Sequence, residues 1–135
     1  MKNFYKMPDT GRVIYRWKGG FKHTGIMIGK DEYGTRHVIH NIPPHGVIVQ
    51  TLEQFNNGQE SFYAEVGCDF YADLTVWRAW NDLGKNYHII DFNCQHFTSK
   101  ACTGKKKSED LNAVLGTVAL VAVGGVLLGA ILSRK

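Results

Sequence analysis

The sequence predicts an α+β domain, an antiparallel sheet packed against helices, followed by a C-terminal transmembrane helix. Three observations lead there. The first half carries short β-branched runs separated by glycine and proline turns, residues 72 to 103 carry two segments with helical spacing, and Ala113 to Leu132 is uncharged throughout. At 135 residues, 44% hydrophobic and 21% charged, the chain has room for one domain of roughly 100 residues and little more.

RVIYRW, residues 12 to 17, and FKHTGIMIG, residues 21 to 29, read as two strands broken by Gly19-Gly20. KDEYGT, residues 30 to 35, is a polar turn before a third extended run, RHVIHN, residues 36 to 41, which makes a hairpin with a long loop. The adjacent prolines of IPPHG, residues 42 to 46, remove two backbone donors and stop that strand. GVIVQT restarts extended structure at residue 46, residues 52 to 60 hold a brief turn of helix, and SFYAEVG, residues 61 to 67, supplies a fifth strand.

Residues 72 to 86 form the first helix, with Asp73 as N-cap, an apolar stripe of Val76, Trp77, Trp80 and Leu83 facing the sheet, and Gly84 at its end. Trp77 and Trp80 therefore read as core. A second helix, capped by Asp91 or Asn93, runs to about Thr103.

Lys105 onward is a basic linker, residues 105 to 112, leading to the expected anchor at 113 to 132. A helix of twenty residues is about 30 Å long, the thickness of a bilayer's hydrocarbon core. The expectation is a tail-anchored protein whose partner is the lipid bilayer, with Lys105 to Lys107 favouring a cytoplasmic catalytic side. No signal peptide is read at the N-terminus. GVLLG, residues 125 to 129, fits the small-xxx-small pattern and leaves a helix-mediated homodimer open. The net charge of +4 comes with no basic helix or aromatic-basic motif, so nucleic acid is not an expected partner.

Cys68, Cys94 and Cys102 are an odd number at unpaired spacings, which predicts no disulfide framework. A zinc site built from them and histidines is the sharper alternative, but no CxxC or HxxxH pair supports it. No metal or organic cofactor is expected.

DFNCQHF, residues 91 to 97, places Cys94 in the first turn of the second helix. Unpaired N–H groups and the positive end of the helix dipole favour a thiolate there and predict a lowered thiol pKa. Cys94, Phe97, Thr98 and Ala101 share one face, the one that meets the sheet. A thiol nucleophile needs a base within hydrogen-bond reach, itself held by a third polar group, and the strands supply His23, His37 and His40. Alternation puts Val38 and His40 on one face of their strand and His37 and Ile39 on the other. The plainer reading of Cys94 is an inert, buried small residue. His45 reads as solvated and His88 as half-buried. Gly25 and Gly29 read as points of close backbone approach, Gly25 also leaving room for substrate.

HTGIMIG at 23 to 29, VIHN at 38 to 41 and NCQHF at 93 to 97, in this order, resemble the lecithin retinol acyltransferase family of thiol enzymes. The resemblance spans residues from about 10 to 132 and implies a permuted papain-like domain over 1 to 104. It implies Cys94 as nucleophile, His23 as its base and His40 as the group orienting His23, with His37 as understudy, and Asn93 and His96 as structural. Gln95 departs from the family's glutamate, and the interval from His23 to His40 is longer than usual, which a longer KDEYGTR hairpin tip absorbs.

The implied function is a membrane-anchored thiol acyltransferase or phospholipase acting on membrane phospholipid acyl esters through a cysteine thioester. Two rivals are a peptidase or amidase using the same Cys94 and His23, and a non-catalytic membrane-bound interaction module.

Overall fold

Strand pairing follows the chain order. β1 (Val13–Lys18), β2 (Phe21–Lys30), β3 (Arg36–Ile42) and β4 (Gly46–Thr51) form an antiparallel meander. β5 (Phe62–Tyr63) returns to pair with β1, giving the order β4-β3-β2-β1-β5. The computed structural model describes residues 3–64, 72–106 and 108. Among the described residues the fifth strand comprises Phe62 and Tyr63, which pair with β1, and residues 65 to 67 of the expected run lie outside the described residues.

The β2–β3 tip is closed by Asp31, whose Oδ1 accepts from the backbone N–H groups of Tyr33 and Thr35 at 2.9 Å each. A register shift between Met27 and Gly29 adds one residue to β2 there. Gly29 takes a φ of 134° at that point, while the N-terminal segment pairs alongside through Tyr5 and Lys30.

The alternation of apolar side chains builds a core on each face of the sheet. On one face Ile26, Ile28, Ile39 and Val47 pack against Ala79 of α2 (Ala72–Asn81) and against Phe97 and Ala101 of α3 (Cys94–Thr103). On the other, Ile14, Met27 and Val38 pack against Phe55 of α1 (Leu52–Asn56). Thr51 caps α1 with a reciprocal box, its hydroxyl accepting from Gln54 N and the Gln54 side chain accepting from Thr51 N.

α2 is rotated from the expected stripe. Thr75 and Ala79 are its buried residues, Val76 and Trp80 pack partly against the core, and Trp77 is 62% exposed. Trp77 follows Val76 by about 100° around the helix, so a face centred on 75, 76, 79 and 80 turns it outward. The helix ends at Asn81, which leaves Leu83 in the exposed turn beyond. Asp73 lies in the first turn rather than at the cap, where its charge still complements the helix dipole. Arg78 donates to the carbonyls of Ala101 and Cys102, tying α2 to the end of α3.

The fold is thus α+β, an antiparallel sheet with helices, and the expected transmembrane helix is corrected. Among the described residues no helix is long and apolar enough to cross a membrane, the longest reaching 10 residues against the roughly 20 a bilayer requires. Residues 113–132, with the GVLLG motif, lie outside the described residues. The cysteine expectation is corrected too: Cys94 is a free thiol, but Cys102 is disulfide-bonded.

Candidate active site

α3 begins where its sequence supplies a complete cap. Asn93 Oδ1 accepts from the N–H groups of Gln95 and His96 at 3.0 Å each, and His96 Nδ1 accepts from Asn93 N at 3.1 Å. A histidine thus fills the place that glutamate or glutamine takes in a capping box. Asn93 is itself held, since its Nδ2 donates to Ile89 O and Ser108 Oγ, both at 3.1 Å. From β3, Asn41 Nδ2 donates to the carbonyls of Phe92 at 2.8 Å and Asn93 at 3.3 Å. Cys94 therefore starts its helix from a turn fixed on both sides.

That helix start docks on a stretch of β2 that β3 leaves uncovered. The β2–β3 register begins at Gly25 opposite His40, so residues 22 to 24 have no partner in β3. The Lys22 carbonyl accepts from the Cys94 thiol at 3.7 Å and from Gln95 Nε2 at 3.1 Å. Thr24 Oγ1 donates to the Cys94 carbonyl at 3.0 Å, and the Thr24 backbone N–H reaches the sulfur. The sulfur lies against the β2 backbone on either side of residue 23.

His23 is buried and projects to the α1 face, stacked on Phe55 with ring centroids 5.4 Å apart. Its Nε2 lies 2.8 Å from His40 Nδ1, and His40 Nε2 lies 2.8 Å from Gln50 Oε1. His40 is fully buried and packs edge-on to the same Phe55 ring. Gly25, opposite His40, makes room for that ring rather than for substrate: a Cβ there would lie 2.6 Å from Val38 Cγ1 and 3.0 Å from the Phe55 ring. The structure brings His23 and His40 together and places His37 elsewhere, its ring against Phe4 and its Nδ1 on the Thr35 carbonyl. His45 and His88 are exposed, His88 more than expected because it sits in a surface turn pairing with Phe92.

Electrostatics keep both partners neutral. Burial pulls His23 down to about 2, with His40 and the charges of Arg16 and Lys18 acting in the same direction. Burial likewise lowers His40 to about 4, against its hydrogen bond to Gln50. Burial pushes the Cys94 thiol above its ordinary value, although the N–H groups of Thr24 and Gln95, the Thr24 hydroxyl and Lys18 oppose the shift. The expected lowering by the helix start is therefore overturned, because desolvation outweighs the donors.

Gln50, Arg16, Thr24 and Asn41 were not singled out as site residues by sequence reasoning. Arg16 is the cross-strand partner of His23, is 5% exposed, and donates through Nε to Phe55 O at 2.7 Å. The available signal was alternation: Gln50 pairs with Val38, which shares a face with His40.

The Cys94 thiol donates to the Lys22 carbonyl, while the His23 ring projects to the α1 face against Phe55 and is held by His40, so a proton transfer from sulfur to His23 requires the two side chains to be brought within hydrogen-bond reach. Asn93 already occupies the N–H groups of Gln95 and His96, so the Cys94 N–H is the donor left at the helix start for an oxyanion. Among the described residues no group of three or more His, Cys, Asp or Glu could hold a metal ion. No protein-family model and no curated protein matches this chain.

Proposed function

We propose that the protein is a cysteine-dependent acyltransferase or phospholipase acting on phospholipid acyl esters, akin to the lecithin retinol acyltransferase family. The observation that carries the reading is the position of the Cys94 sulfur against the β2 backbone that bears His23, with His23 Nε2 held by His40 and Gln50. The ester-lipid substrate class rests on the motif resemblance, which the chain's own residues accommodate.

The Cys94 S–H proton passes to His23 Nδ1 as the sulfur attacks the ester carbonyl, and the Cys94 N–H stabilises the resulting oxyanion. The tetrahedral intermediate collapses, the C–O bond breaks, and the lysophospholipid oxygen leaves with the proton from His23. An acyl thioester remains on Cys94. Water, an alcohol or an amine then gives a proton to His23, attacks the thioester carbonyl and releases the thiolate, which regains its proton from His23.

Intact mass measurement after incubation of the full chain with phospholipid vesicles tests this. Wild type gains one fatty-acyl mass, removable by hydroxylamine, and Cys94→Ser gains no hydroxylamine-labile adduct. A labile adduct of equal yield on Cys94→Ser removes Cys94 from the mechanism. Cleavage of peptide or amide substrates with no acylation by lipid turns the reading toward a thiol amidase.

A further inference from the structure

The sheet face that carries Cys94 continues past the start of α3 into an aromatic and basic surface. Cross-strand partners share a face, and the register sets Tyr15 against Thr24, Trp17 against Lys22, and Phe62 against Tyr15. Thr24 holds the Cys94 carbonyl, so these side chains lie on the α3 side, immediately beyond the helix start. Trp17 is 48% exposed and Phe62 41%, unlike the core aromatics. Lys22 Nζ lies 4.6 Å from the Tyr15 ring centroid and 5.5 Å from that of Trp17, and Tyr15 meets Trp17 edge-on at 6.0 Å.

We infer that this face, with Trp17, Phe62 and Lys22 at its contact points, docks the domain on an anionic phospholipid surface. Amphipathic rings settle at the headgroup level of a bilayer, and lysines beside them are drawn to anionic headgroups. The two requirements meet here on one face, next to the sulfur whose carbonyl target would lie at that depth. A second copy of this chain fits less well, since a two-fold contact centred on the patch brings Lys22 toward its own symmetry mate. The inference deepens the lipid-ester reading and gains its purpose from it.

The test uses the full chain with vesicles of phosphatidylcholine alone or with added phosphatidylglycerol, both carrying brominated acyl chains that quench tryptophan at close range. The signal is the quenching lost between wild type and Trp17→Phe, so lipid contact by the uncharged run 113–132 does not enter it. We expect Trp17 quenching that grows with phosphatidylglycerol, and Lys22→Glu to weaken it by about five-fold, the contribution of one lysine at an anionic surface. Phe62→Ala should weaken the quenching and leave acylation by a soluble short-chain ester unchanged. Quenching identical in wild type and Trp17→Phe, or indifferent to phosphatidylglycerol and to Lys22→Glu, overturns the inference. So does a dimer in lipid-free solution that already shields Trp17. Trp17 quenching without acylation of Cys94 leaves the docking face standing and sinks the catalytic reading; acylation without quenching does the reverse.

Discussion

His40 bridges Gln50 and His23, with its Nε2 2.8 Å from Gln50 Oε1 and its Nδ1 2.8 Å from His23 Nε2. An amide oxygen only accepts, so neutral His40 carries its proton on Nε2 and presents Nδ1 as an acceptor. His23 must then donate from Nε2, which leaves the lone pair on Nδ1 for the thiol proton. Replacing the glutamine should scramble this order: Gln50→Leu is expected to slow single-turnover acylation of Cys94 about ten- to hundred-fold. Gln50→Glu, whose carboxylate also accepts, should retain most of the rate. Wild-type acylation by Gln50→Leu would remove Gln50 from the chain of proton ordering.

The same two histidines should make the fold acid-sensitive in a defined window. Both bind protons more weakly when folded, at about 2 for His23 and about 4 for His40, than at the ordinary 6.5 of an unfolded chain. Between pH 6.5 and 4 the unfolded state therefore takes up more protons, and stability falls as pH falls. The His40 contribution is on the order of 3 kcal/mol by the time its folded value is reached. Urea unfolding at pH 7 and pH 4.5 checks this, with His40→Asn expected to reduce the difference by the His40 share while the His23 share remains. A pH dependence identical in wild type and His40→Asn contradicts the assignment.

What could be read before folding follows from how local each signal is. The four strands of the meander and the start of α3 are legible because glycine and proline breaks, alternation and the Asn93 cap are encoded within a few residues. His40, rather than His37, as the partner of His23 depends on one register, and alternation alone narrows that choice without making it. Gln50 and Arg16 enter the site through pairing across strands, which no local pattern carries. Trp77 faces outward against the expected stripe because the contact face of α2 is chosen by α3 and the sheet rather than by the helix's own apolar spacing. The thiol shift runs opposite to the expectation because the helix start is a local feature and desolvation is a tertiary one.

Asn93 combines two roles that substitution can separate. Its Oδ1 caps α3, and its Nδ2 ties the turn to Ile89 O and Ser108 Oγ in a buried setting. Asn93→Ala loses the cap and leaves buried groups unpaired, an expected cost of about 2–4 kcal/mol in urea unfolding. Asn93→Asp keeps an acceptor for the helix N–H groups and should lose about half as much. Equal losses in the two variants would show that the Nδ2 bonds, and not the cap, hold the turn.

Gln95 joins α3 to β2 through an amide that the glutamate of the resembling family cannot imitate. Its Nε2 donates to the Lys22 carbonyl at 3.1 Å, and its Oε1 accepts from Ser108 Oγ at 3.2 Å. Gln95→Glu sets a carboxylate oxygen against that carbonyl and adds a negative charge beside a sulfur whose ionisation burial already opposes. The thiol pKa should rise further, and alkylation by iodoacetamide near neutral pH should slow about ten-fold, since each step of one pH unit is a factor of ten in thiolate. The rate at strongly alkaline pH should converge on wild type, where both thiols are ionised. If the two proteins alkylate with the same pH profile, Gln95 acts on neither the thiol nor its placement. If the rates differ by a constant factor at every pH, the substitution has moved the sulfur without changing its charge.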